Sequence, residues 1–263
     1  MHHRPLMLVC VAAAVAALLA LSAAACGGEE TPSGTASSRS ALSGGAAGLP
    51  QGSETVELDP AEFTTAIDNP WWPMKPGSRW LYRETDGAGG EQRVEVTVTE
   101  DTRTIMGIKA RVVHDVGTED GALVEDTYDW YAQDAEGNIW YLGEDTKEYE
   151  NGKVTTTAGS WEAGVDGAQP GVIVPADPQP GLTYRQEYLA GEAEDAATVL
   201  SLDEMVTVPF GFFEGVLMTK DFTPLEPRLL EHKFYARGVG PVFALTVSGG
   251  TDREELVLFE PGA

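Results

Sequence analysis

The sequence is poor in cysteine and in positive charge. Only Cys10 and Cys26 occur in 263 residues, and Cys10 lies in a predicted export signal, so the mature chain can form no intrachain disulfide. Lysine and arginine together number 17, against 42 aspartates and glutamates. Loss of the signal, which carries Arg4, leaves a net charge of −26. Such a surface repels phosphate backbones, so nucleic acid is excluded as a partner.

The motifs of common catalytic and nucleotide sites are also missing. The sequence contains no Gly-x-Gly-x-x-Gly, no P-loop and no Gly-x-Ser-x-Gly elbow. His114 and His232 are the histidines outside the signal, and each is interpreted as an ordinary strand-face residue. A dispersed Ser-His-Asp triad stays open, because its members can be far apart in sequence. We therefore predict no catalytic residue, no metal site and no cofactor.

The first 25 residues have the pattern of a signal peptide. A cationic end at Arg4 is followed by an uncharged run, residues 5–20, and then by small residues up to Cys26. A permanent transmembrane helix would fit the length, but the run is rich in alanine and lacks charged flanks at its end. We predict a protein that acts outside the cytoplasm.

Cys26 is the predicted lipidation site. It occupies the position of the cysteine that is acylated in bacterial lipoproteins, and Gly27 and Gly28 follow it. Ala23 stands where leucine is usual, so plain secretion after an Ala-x-Ala cut remains the alternative. Residues 26–53 are mostly small and polar, which predicts a flexible linker between a membrane anchor and the folded domain.

Residues 54–263 are predicted to form a single β-rich domain. Arg93–Thr99 alternates strictly between polar residues and valines, as in a half-buried antiparallel strand, and Asn151-Gly152 predicts a type I′ hairpin. Asp59-Pro60 predicts one short N-terminal helix that includes Phe63 and Ile67. Ten or more strands cannot remain one flat sheet. The expected fold is therefore mainly β: a strongly curved antiparallel sheet, half-barrel or barrel-like, with that helix.

Two groups of side chains are candidates for a site. Carboxylates cluster in the central strands, and could serve a glycosidase-like hydrolase or bind calcium; they are Glu125, Asp126, Asp129, Asp134, Glu136, Glu144 and Asp145. Large aromatic rings could line a ligand surface, although core packing is the alternative. The rings selected as ligand-binding candidates are those of Trp71, Trp72, Trp130 and Trp140.

Four segments resemble a family of bacterial exported proteins and lipoproteins that have no assigned activity. They are residues 68–82, residues 125–134, residues 159–164 and residues 235–240. The resemblance implies export and supplies no catalytic or binding residues. More loosely, the expected curved sheet is similar to the half-barrel of the lipoprotein carriers LolA and LolB, which is an analogy of fold and not of function.

The sequence thus predicts an exported lipoprotein, a non-enzymatic binding or structural protein of the cell envelope. Its expected partners are the membrane, through the lipid anchor, and an envelope component or a small hydrophobic ligand. Three alternatives remain: a carrier of a hydrophobic or lipid ligand, a carboxylate-dependent hydrolase, and a calcium-dependent adhesion or assembly protein.

Overall fold

The structure, a computed structural model, describes residues 48–263 as one antiparallel sheet of fifteen strands. The signal peptide, Cys26 and the linker up to residue 47 lie outside the described residues. The strands are β1 (Arg79–Thr85), β2 (Glu91–Ile105), β3 (Ile108–Glu119), β4 (Ala122–Gln133), β5 (Ile139–Glu150), β6 (Lys153–Thr156), β7 (Trp161–Glu162), β8 (Gln169–Val174), β9 (Thr183–Arg185), β10 (Glu187–Tyr188), β11 (Ala196–Val208), β12 (Gly211–Phe222), β13 (Leu230–Ala236), β14 (Gly240–Ser248) and β15 (Arg253–Glu260).

The strand order is that of a meander with one long-range pairing. Neighbours run β10-β8-β5-β4-β3-β2-β1-β15-β14-β13-β12-β11-β9, and β6 and β7 both pair with β5. The pairing of β1 with β15 joins the two halves of the chain. The β5–β6 turn uses Asn151 and Gly152, both at positive φ, as the hairpin prediction requires. The predicted antiparallel, mainly β sheet is confirmed.

The sheet does not close into a continuous ladder, but one segment contacts both of its ends. β9 pairs with β11 at one end of the order, and β10 pairs with β8 at the other. Only Gln186 separates β9 from β10 in the sequence. We call residues 183–188 the seam segment, because they bridge the gap between the two edges.

The prediction of a short N-terminal α-helix is wrong. Asp59 does cap a turn, and its side chain accepts a hydrogen bond from the Ala61 N–H, but the turn is a 3₁₀ helix of three residues, Pro60–Glu62. Beyond it the backbone pairs elsewhere, because Thr64 bridges to Gln133 and Ile67 to Met74. These sheet-like bonds replace the i to i−4 bonds that a longer helix would need.

The inward-facing positions change character along the strands. On β4 they run from Tyr131 through Asp129 to Glu125, and on β13 from Tyr235 to Glu231. Because paired strands are antiparallel, the register brings the aromatic positions to one end of the curved sheet and the acidic positions to the other. The interior therefore has an apolar end and an acidic end.

The apolar end is filled by the chain that precedes β1. Trp72 packs against Tyr131 and Tyr235, with ring centroids 5.5 and 6.5 Å away. Met74 and Trp71 are buried beside it. Residues 48–53, predicted as linker, also contact the sheet, since the Pro50 carbonyl accepts a bond from the Arg185 N–H. No helix in this described part of the chain is long and apolar enough to cross a membrane.

Close packing at the seam gives a test of this arrangement. A Cβ at Gly171 on β8 would overlap the backbone carbonyls of Arg185 and Gln186, so we expect Gly171→Ala to lower the free energy of unfolding by about 3 kcal/mol. Gly211→Ala is the matched control, because a Cβ there meets no atom within 4 Å, and its effect should stay within about 0.5 kcal/mol. Urea denaturation measures both, and equal effects would contradict the seam.

Candidate functional site: an acidic interior

The four candidate tryptophans are buried. The Arg237 guanidinium lies 3.8 Å from the centre of the Trp71 ring, and that of Arg103 lies 3.9 Å from Trp130. Trp140 donates a 2.7 Å hydrogen bond to Asp134. No ring among them forms an open aromatic surface, so the geometry favours their packing role. Ligand binding by these rings stays a prediction.

The predicted carboxylate cluster divides between the two faces of the sheet. Glu125, Asp129 and Glu144 point inward and are buried. Asp126 and Asp145 lie on the outer face, where they contact His114 and Lys147. The remaining two, Asp134 and Glu136, belong to the β4–β5 turn, and Asp134 accepts bonds from Asn138 within it.

Other strands add further acids to the inward group. Ten carboxylates, each at most 8% exposed, surround the acidic end of the interior; we call them the acidic interior. They are Glu84, Asp115, Glu125, Asp129, Glu144, Glu187, Asp195, Asp221, Glu231 and Glu254. Such a density of buried acids is unusual, because an ionised carboxylate loses its hydration when it is buried.

One lysine faces these acids. Lys233 on β13 is buried, and its Nζ lies 3.4 Å from Asp221 Oδ2. Burial lowers the pKa of Lys233, but Asp221, Glu231 and Asp195 raise it further, so the net shift is upward and the ammonium stays charged. The other buried cation nearby, Arg185, donates to backbone carbonyls of Gly52, Glu54 and Pro170. The buried carboxyl groups in this region therefore far outnumber the buried cationic side chains.

Hydroxyl groups donate hydrogen bonds to some of the acids but not to Glu144. Tyr141 donates a 2.8 Å bond to Asp129, Thr127 a 2.9 Å bond to Glu125, and Thr219 a 2.5 Å bond to Asp221. Both oxygens of Glu144 are buried without a hydrogen-bond partner. A buried acceptor in that state costs about 1–3 kcal/mol.

Burial shifts the protonation of the acidic interior. Burial raises the pKa of Asp129 to about 7, although the hydrogen bond from Tyr141 opposes the rise. Burial also raises the pKa of Asp195 to about 7, against the effect of Lys233. The pKa of Glu144 lies well above its ordinary value because of burial first, and then because of Glu187 and Asp129. Glu144 and other acids whose pKa is raised in this way therefore hold protons at neutral pH.

The geometry gives no direct support to the metal and hydrolase alternatives. Within residues 48–263, no three histidine, cysteine, aspartate or glutamate side chains are placed to hold a metal ion. A glycosidase needs two acids beside an open substrate cleft, whereas these ten are buried. Both alternatives stay predictions.

An open groove on the outer face is a second feature with polar lining. Its volume is about 400 Å³, and it lies over β2 and β3 beside Arg93, Thr97 and His114. His114 stacks on Tyr128 at 4.3 Å, and its Nε2 lies 2.6 Å from Asp126 Oδ1. Among the described residues, no hydroxyl group donates a hydrogen bond to His114, whose ring nitrogen contacts Asp126.

Comparison with known proteins gives a distant likeness. No family model matches the chain, and no curated protein matches it. A presumed exported protein with a YmcC-like fold from Bacteroides fragilis is 13% identical, with a TM-score of 0.40, over 73% of this chain and 99% of that one. A presumed lipoprotein from Parabacteroides distasonis is 12% identical, with a TM-score of 0.40, over 72% and 98%. Similarity at this level does not establish a function.

The acidic interior makes the stability of the fold depend on pH in an unusual direction. The native state keeps protons that the unfolded chain releases near pH 4, so the free energy of unfolding should be greatest in acid and should fall as the pH rises through 7. Glu255, whose pKa Arg253 and Arg83 lower, acts in the opposite sense, but it is one group against several. We expect a higher urea midpoint at pH 5 than at pH 8, and a higher midpoint at pH 8 would contradict the shifts.

Glu144→Gln tests one member of the group. Glutamine has the same shape and cannot ionise, so the variant should be more stable than the wild type at pH 8, by about 1–3 kcal/mol, because burial raises the pKa of Glu144 and makes its ionisation costly. At pH 5 the two should be alike. Glu136→Gln in the exposed β4–β5 turn is the control, with little effect at either pH. A variant that loses stability equally at both pH values would show that the Glu144 charge is needed.

Proposed function

We propose that the chain is an exported, non-enzymatic binding protein of the cell envelope, held at the membrane through Cys26, and that its acidic interior binds a small organic cation. The export signal and the small-residue linker support the location. The binding proposal is supported by one observation: within residues 48–263, ten buried acids face a single buried lysine, and neither carboxylate oxygen of Glu144 or of Glu187 has a hydrogen-bond partner.

An organic ammonium ion fits this chemistry better than the other ligand classes. Buried carboxylates must be protonated or paired with a cation. An ammonium group supplies charge and three hydrogen-bond donors, and it does not need the fixed coordination shell that a metal ion requires. Bound cations would replace the protons that Glu144, Asp129 and their neighbours carry at neutral pH.

A hydrophobic ligand has less support. Inward positions at the apolar end are occupied by side chains of the protein, with Trp72 packed between Tyr131 and Tyr235. The remaining interior is lined by carboxyl groups, and an apolar ligand offers them neither a hydrogen bond nor a positive charge. A lipid could therefore bind only if Trp72 moved out of the apolar end and the carboxylates of the acidic interior were uncharged.

Entry to the interior is easiest at the seam segment. β9 pairs with β11 through three residue pairs and β10 with β8 through two, whereas β2 and β3 share ten. Short pairings open at lower free energy than long ones. Glu187 lies on the seam segment, and its pKa is raised by burial and by Asp195. Ionisation of this acid, or a cation that pairs with it, would therefore act at the short pairings of the seam.

Thermal unfolding with a diamine tests the proposal. At pH 8 we expect 1,4-diaminobutane to raise the Tm, by the equivalent of about 2.7 kcal/mol at one hundred times the Kd, and to act less at pH 5, where protons compete. 1,4-Butanediol, of equal length and no charge, should have no effect. Sodium chloride at matched ionic strength separates binding from screening; a shift equal to that of the diamine would refute the site.

Two variants test whether the diamine binds in the acidic interior. Glu144→Gln should weaken diamine binding about tenfold, as expected for loss of one charge-assisted bond of roughly 1.4 kcal/mol, while Glu136→Gln should bind as the wild type does. Isothermal titration calorimetry in two buffers of different ionisation enthalpy should show proton release on binding. If both variants bind alike, the ligand lies elsewhere on the acidic surface.

The anchor is tested by mass spectrometry of the membrane fraction. The mature N-terminal peptide should begin at Cys26 and carry a diacylglyceryl group, and Cys26→Ser should abolish the modification. Unmodified wild-type protein found wholly in the medium would replace the lipid anchor with plain secretion, and would leave the diamine experiments unaffected.

A further inference from the structure

The tip of the β11–β12 hairpin presents two large apolar side chains to solvent. Met205 is 68% exposed and Phe212 is 59% exposed. The register pairs Thr207 with Phe212 and Met205 with Glu214, so Met205 and Phe212 are diagonal neighbours on one face of the hairpin. These two side chains, which share the face with the exposed Thr207 and Glu214, are what we call the hairpin tip.

The other face of the hairpin fixes this surface in place. Val206 and Val208 are buried, the Phe210 N–H donates a 3.0 Å bond to the Leu256 carbonyl, and the Phe210 ring meets Phe259 edge-on at 6.5 Å. The exposed side chains therefore stand on a packed support, and their exposure is not that of a loose loop.

The predicted linker enters the domain beside the strand that carries Met205. Pro50 bonds to Arg185 on β9, and β9 pairs with β11 at Thr183 and Thr198. Met205 follows Thr198 by seven residues on β11, a distance of roughly 23 Å along the strand. Gly48 follows Cys26 by 22 residues, and a flexible linker of that length, as the sequence predicts, would have a root-mean-square span of about 26 Å. This step rests on the proposed function, because it is the anchor proposed at Cys26 that brings the hairpin tip within reach of the bilayer.

We propose that the hairpin tip inserts into the surface of a lipid bilayer whose head groups have no net charge. Methionine and phenylalanine gain free energy by leaving water for the acyl boundary. Glu204 and Glu214 on the hairpin, and the strongly acidic chain as a whole, repel anionic lipids. The contact orients the domain on the membrane, and it is independent of the acidic interior.

Brominated lipids test insertion directly. The mature chain, residues 26–263 with Cys26→Ser to remove the acyl group, receives Phe212→Trp and is mixed with vesicles of brominated phosphatidylcholine. We expect quenching of the new tryptophan, over a small background because the six native tryptophans are buried. Val154→Trp is the control, since Val154 is 49% exposed on the β5–β6 hairpin and should not be quenched. Equal quenching of the two, or none, would overturn the proposal.

Vesicle flotation provides the second measurement. The double variant Met205→Ser, Phe212→Ser should reduce binding to phosphatidylcholine vesicles about tenfold, as follows from loss of buried apolar surface, with an unchanged Tm because both residues are exposed. Val154→Ser should float as the parent does. Equal flotation of the double variant would overturn the proposal, because the hairpin tip would then make no contact with lipid. Loss of a dimer of the parent in sedimentation would overturn it too, because the hairpin tip would then bind a second copy of the chain.

Discussion

Burial of carboxylates without matching positive charge is the constraint on which the rest of the structure depends. Each ionised, unpaired acid in such a position costs several kcal/mol, while a whole domain is stable by about 5–15 kcal/mol. Ionisation of the acids whose pKa burial raises most, Asp115, Glu144, Glu187 and Glu254, would by itself exceed that margin. The fold therefore needs protons or another cation inside it, and the raised pKa values of Asp129 and Asp195 follow from the same wrapping of the sheet that produces the core.

Two stacked tyrosines confine the buried acids to one end of the interior. Tyr131 and Tyr141 stack at 4.9 Å between the apolar end and the acids, and the Tyr141 hydroxyl gives one acid a donor without adding charge. Their own pKa values are raised, by burial first and then by Asp129, so both remain neutral donors. An aromatic layer that can also donate hydrogen bonds thus separates the apolar end of the interior from the acidic end.

The sequence predicts much of the fold and only part of the site. Strict alternation in β2 and the Asn151-Gly152 turn depend on local chemistry, and both are confirmed. The helix prediction failed because Thr64 pairs with Gln133, about seventy residues away. The sequence did not predict Lys233 and Glu254 as interior residues, for a related reason. Alternation with a period of two shows that a strand has two different faces, but only the folded sheet determines that the face with Glu231 and Lys233 is buried.

The two ends of the interior also divide the molecular surface. β12 begins at the hairpin tip, which extends beyond the apolar end where Leu217 faces inward. The β1–β2, β3–β4 and β14–β15 turns lie at the acidic end. A bilayer contact through the hairpin tip therefore turns the acidic end away from the membrane. In that orientation the acidic end of the sheet points toward the aqueous compartment, where small cations are free to approach.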